Sequence, residues 1–140
     1  MSDIKRKKDY LFKYKNAIKC EERIKEKLDD IEAKINAGIQ TGNHSSDGTS
    51  ASFNTKAPFE HWVEMRDEYK QRLDRTREKS EAIKKDVLAV IDKVNNPLYC
   101  EILESYFIEF KAVEEICDNI DRTDRQWYRL YRNAILSIEI

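Results

Sequence analysis

Three arginines near the C-terminus, Arg125, Arg129 and Arg132, have the spacing to act together. At about 100° of rotation per helical residue they fall within about 60° of one another, on the side opposite Trp127. A guanidinium is a planar, permanently charged fork that bonds bidentately to phosphate or to the O6 and N7 edge of guanine. The carboxamide of a residue such as Gln126 pairs in the same way with adenine. Arg122 and Thr123 stand just ahead, where a cation and a hydroxyl suit phosphate. The chemistry implied is recognition of double-stranded DNA, with Arg125, Gln126 and Arg129 on base edges and Arg122, Thr123 and Arg132 on phosphate. Asp124 opposes this, because a carboxylate in the first turn favours the helix dipole but repels a nearby phosphate.

Two short helices would have to hold these residues. Val113, Ile116 and Ile120 recur at helical spacing. After a turn, Thr123 and Gln126 have the separation of a capping box, in which the hydroxyl accepts a backbone N–H and the carboxamide reaches back to the cap. The stripe Trp127, Leu130, Ala134 and Ile138 then forms the expected buried side of the second helix. Trp127 and Tyr106 suit a core better than a base-stacking platform. The pattern predicts a helix-turn-helix whose second helix enters a major groove N-terminus first. Leu136 falls on the arginine side, as a partner contact or a frayed end.

The run 113–135, VEEICDNIDRTDRQWYRLYRNAI, resembles region 4 of sigma-70-type factors, and the upstream ILESYFI of 102–108 resembles the helix that precedes it. The whole chain is similar to the small sigma-like regulators of the ArpU and RinA type encoded by phages of Gram-positive bacteria. The resemblance covers about a third of the chain at the motif level. It implies a phage-encoded transcription regulator that binds DNA, with RNA polymerase or a second copy of the chain as the further partner. Asp121 stands where that family has Gly in the turn, and tolerates a left-handed backbone better than most non-Gly residues. Cys117 replaces a small residue of the pattern and is itself small enough to keep two helices close.

Further upstream, Asn96 and Pro97 have the types of a helix cap and a first helical residue, so a boundary is expected there: 1–96 as one part and 97–140 as the helix-turn-helix module. Within 1–96, Tyr10, Tyr14, Ala17, Glu21, Ile24, Leu28, Ile31 and Ile35 alternate spacings of four and three. Tyr69, Leu73, Thr76, Ser80, Ile83, Val87, Val90 and Val94 do the same. Two seams this narrow bury themselves most simply against each other, which predicts a long antiparallel helical hairpin. A linker at about 39–57 joins them, and from Gly42 to Ser52 every residue except Ala51 is polar or Gly, too little apolar surface to order itself. Pro58 suits the first turn of the second long helix. The expected fold class is therefore all-α.

Charge bounds the partners. Residues 1–38 carry 11 basic and 8 acidic side chains, whereas 97–140 carry 5 basic and 9 acidic. Phosphate contacts supply most non-specific affinity, so a single copy is expected to bind weakly and with strong salt dependence. A homodimer through the hairpin, or docking on RNA polymerase through the acidic helix, would raise effective concentration. Lys5, Arg6, Lys7 and Lys8 read as a solvated helix end. His61 and the linker residue His44 do not form a base or metal set with other residues, and no phosphate-binding Gly loop or nucleophile elbow is present, so neither catalysis, a cofactor nor a metal is expected. Cys20, Cys100 and Cys117 are odd in number and far apart, which suits free thiols. No apolar run is long enough to span a bilayer and Met1 to Lys8 lacks a signal-peptide core, so a cytoplasmic location is expected. The competing class is a phage packaging or assembly protein, a small terminase-like oligomer built by the hairpin; a large closed ring would favour it over a regulator.

Overall fold

Where the chain turns from one helix to the next, local side chains account for most of the boundaries. A computed structural model describes the backbone of residues 2–42 and 52–140, and the side chains of 2–38 and 59–140. All regular elements among them are helices: α1 (Asp3–Leu11), α2 (Lys13–Gly42), α3 (Ser52–Asp92), α4 (Pro97–Phe107), α5 (Val113–Ile120) and α6 (Asp124–Leu136). Ser2 caps α1 by accepting from the Lys5 amide at 3.4 Å. Asn96 caps α4: its Oδ1 accepts from the Leu98 and Tyr99 amides at 3.0 and 3.3 Å, and Pro97, with no N–H to satisfy, follows. At α6 the Gln126 side chain accepts from the Thr123 amide at 3.2 Å, completing a capping box. The Gln126 amide itself donates to the Thr123 carbonyl at 3.0 Å.

Two residues that follow helices are left-handed without being glycine. Asp121 closes α5 at φ 56° and ψ 51°, and the Arg122 amide donates back to the Cys117 carbonyl at 3.0 Å, the long bond of a Schellman turn. Phe110, after α4, has φ 56° as well. A bulky residue there is costly. Its ring is held by stacking on Tyr14, 5.6 Å between centroids and 18° between planes.

The described residues divide into two compact units, 1–18 with 79–140, and 19–78. In the first, Leu11, Val87, Ile91, Ile102, Leu103, Phe107, Ala134 and Ile135 have no exposed surface, and Leu130, Tyr131 and Ile138 complete the same cluster. Aromatic rings cross its middle: Phe12 meets Phe107 edge-on at 4.9 Å, and Tyr106, Trp127 and Tyr131 lie 5.1 to 5.7 Å apart. In the second unit the buried residues are a single aliphatic row of α2, Ile24, Leu28, Ile31 and Ile35, with Leu73 of α3. Within that unit α2 and α3 run in opposite directions, since Leu28 clusters with Leu73 while Lys34 lies 4.4 Å over the Trp62 ring.

Several elements differ from the expectation. Heptad spacing runs through Tyr10 and Tyr14 without interruption, but the helix breaks at Phe12, whose ring packs on Phe107 and Tyr106. The compact unit that contains α4 to α6 also takes in 1–18 and the end of α3, so Pro97 starts a helix there and not a unit. On α3 it is Ile91 that is fully buried and Val90 that is only partly so. Of the expected linker 39–57, residues 39–42 and 52–57 belong to α2 and α3, and 43–51, with His44, lie outside the described residues. Pro58 accordingly falls inside α3 beyond its first turn, where it removes one backbone hydrogen bond.

Candidate functional site

Helix α6 has two sides of opposite character. Ala134 and Ile135 are completely buried, Leu130 and Tyr131 nearly so, and Ile138 just past the helix end is 1% exposed. Arg125, Arg129 and Arg132 are exposed on the other side, as are Arg122 and Thr123 ahead of the helix. Among the described residues no carboxylate lies within ion-pair distance of any of these arginines. Arg122 is turned toward the backbone, donating to the Asp121 carbonyl at 3.2 Å. Exposed, unpaired guanidiniums keep their full hydrogen-bonding capacity for a ligand.

Gln126 is placed differently from the arginines. It is half-buried, and its Oε1 is engaged with the Thr123 amide. Bidentate pairing with adenine needs both ends of the carboxamide. In this geometry the acceptor end orders the start of α6, and only the NH₂ end is left for a ligand. Trp127, expected at the head of the buried stripe, is half-buried against Tyr106 at 5.7 Å and Tyr131 at 5.5 Å. Burial, then the neighbouring Tyr106, pushes the Tyr131 phenol well above its ordinary value.

Cys117 sits where α5 approaches the start of α6, 2% exposed, with its Sγ 3.9 Å from the Thr123 carbonyl. Burial, and after it the charges of Asp124, Asp118 and Glu114, raise the thiol above its usual range. It is a packing residue held in the protonated form. Cys20 is exposed and also a free thiol.

The basic run at the N-terminus is not a uniformly solvated helix end. Lys7, only 13% exposed, donates to the Leu136 carbonyl at 2.9 Å, and Arg6 donates to the Ile140 carbonyl at 3.4 Å. Lys7 thereby meets the C-terminal end of α6, where the helix leaves carbonyls unpaired and a partial negative charge, while Arg6 reaches the segment that follows it. Asp3 pairs with Arg6 at 2.8 Å and Lys7 at 3.3 Å, and its carboxyl is held below the usual range chiefly by the Arg6 hydrogen bond. Between α1 and α6 lies an open groove of about 200 Å³, lined by Ile4, Lys5 and Lys8 on one side and Tyr128, Tyr131, Arg132 and Ile135 on the other. The groove was not foreseeable from spacing, since its two sides are at least 120 residues apart in the chain.

Among the described residues no group of three His, Cys, Asp or Glu side chains could hold a metal ion, and no helix is long and apolar enough to cross a membrane. No family model, curated protein or solved structure matches the chain.

Proposed function

We propose that the chain is a sequence-specific DNA-binding regulator of transcription, in which α5 and α6 act as a sigma region 4-like helix-turn-helix and the α2–α3 pair as a helical hairpin that supports dimerisation or a contact with RNA polymerase. The observation that carries this is the exposed side of α6: three guanidiniums without carboxylate partners among the described residues, opposite a side that is buried from Leu130 onward. Arg125 and Arg129 reach base edges in the major groove; Arg132, Arg122 and Thr123 hold phosphate. Gln126 fixes the first turn of α6 and offers its free NH₂ to a base.

The three-residue connection supports the reading too. Asp121, Arg122 and Thr123 turn the chain sharply through one left-handed residue, which keeps α5 and α6 a single packed body. The exposed Glu114, Glu115 and Asp118 of α5 supply an acidic face for a basic surface of polymerase. The phage origin implied by the sequence pattern belongs to the same proposal.

The test is selection of duplexes from a random pool, followed by anisotropy titration of the enriched site. Arg129→Ala is expected to weaken that site by about 1–3 kcal/mol while leaving random duplex little changed. Failure of the wild-type chain to enrich any sequence would remove the proposal.

A further inference from the structure

We propose that the groove between α1 and α6 is a second DNA-binding surface, a clamp in which Lys5 and Lys8 of α1 join Arg132 and the Tyr128 hydroxyl of α6 on the sugar-phosphate backbone next to the point where α6 enters the major groove. The inference rests on the proposed DNA-binding role of α6, and it addresses a deficit in that role. Residues 97–140 carry more acidic than basic side chains, whereas residues 1–18 carry six basic and two acidic. Folding places the basic stretch on α6 itself.

Its cations, its tyrosine and its continuity with the arginine side of α6 make the groove suited to phosphate. Its cations are held in place: Leu11 is completely buried, and α1 is tied to the end of α6 through Lys7 and to the segment after it through Arg6. Order of this kind lowers the entropy lost when a ligand binds. Lys8 has no ion-pair partner among the described residues and lies 5.8 Å over the Tyr131 ring. Lys5 is paired only with Asp9, at 3.2 Å and with both side chains more than half exposed, a pair weak enough to exchange for phosphate. Tyr128 is 69% exposed, so its ring is not part of the core and its hydroxyl is free to donate to a phosphate oxygen. Arg132 belongs both to this groove and to the arginine side of α6, which makes the two surfaces continuous.

Binding to the backbone carries no sequence information, and that separates it from base reading. The experiment titrates the full chain against its enriched duplex and a random duplex over a salt series, for the wild type, the double variant Lys5→Ala with Lys8→Ala, and Arg129→Ala. The clamp predicts that the double variant loses affinity for both duplexes by the same factor, with the slope of log affinity against log salt reduced by about 0.9 for each phosphate that the two lysines no longer neutralise. Arg129→Ala should weaken the enriched duplex alone. Unchanged helicity and melting temperature of the double variant exclude a folding effect. If Arg129→Ala discriminates between the duplexes while the double variant keeps the wild-type slope, the clamp is wrong and the base-reading helix stands. If the wild type binds neither duplex, the underlying reading falls first. A single-stranded RNA titrated alongside completes the test: weakening of its binding by the double variant, with duplex affinity untouched, would assign the groove to a different nucleic acid and overturn the proposal.

Discussion

The two compact units are built from the same kind of element and stabilised in different ways. Unit 19–78 buries one aliphatic row of α2 against α3, and the aromatic residues beside it, Tyr69 and Trp62, remain partly exposed under the cations of Arg72 and Lys34. The unit of 1–18 with 79–140 gathers helices from both ends of the chain around completely buried aliphatics and a set of touching rings. Two helices alone can hide only the stripe between them, whereas several crossing helices enclose a volume. The candidate site lies on the second kind of scaffold, which can hold side chains to fixed positions.

Truncation of one buried residue in each unit breaks or sharpens this contrast most directly. Phe107→Ala, at the centre of the rings, is expected to cost about 3–5 kcal/mol in denaturant unfolding. Leu28→Ala, in the aliphatic row, is expected near the lower end of the range for such changes, about 2 kcal/mol, because its surroundings are open enough to collapse. Equal losses would mean that the row is as fully packed as the ring core.

Alkaline pH probes the same difference by titration. Tyr131 and Cys117, both in the larger unit, are raised by burial, so the folded state retains protons that the unfolded state releases. Their contribution is fully present below the unfolded values and is lost as pH rises from there through the folded ones, which for these groups means from about pH 9 upward. Tyr131→Phe should flatten that decline by up to about 1.4 kcal/mol per pH unit. A decline as steep as in the wild type would show that the phenol does not gain its burial on folding.

The smallest effect is expected at the turn. Asp121→Gly relieves a left-handed backbone at φ 56° and should stabilise the chain by about 0.5 kcal/mol, seen as a small rise in melting temperature. Destabilisation would instead mean that the carboxylate makes an interaction worth more than the backbone relief.

Short-range features were legible in the sequence because their partners are neighbours. Asn96 with Pro97, and Thr123 with Gln126, satisfy amides two or three residues away, and these boundaries follow from residue type alone. The exposed position of Arg125, Arg129 and Arg132 follows from helix phase. The buried side of α6 was legible only in part. A single stripe accounts for Leu130 and Ala134 but omits Tyr131 and Ile135, which are covered because α6 is packed on more than one side, by α4, α5 and α1.

Helical periodicity by itself determined an all-α chain, the caps of α4 and α6 and the shared orientation of three arginines, because each depends on spacing within one helix. Tertiary structure alone decided that the N-terminal helix lies on the C-terminal one. Lys7 reaches the Leu136 carbonyl across 129 residues, and no local pattern encodes which distant carbonyls a lysine will meet. That packing also places a basic stretch beside an acidic segment, so the charge around α6 is set by the fold and not by the segment's own composition.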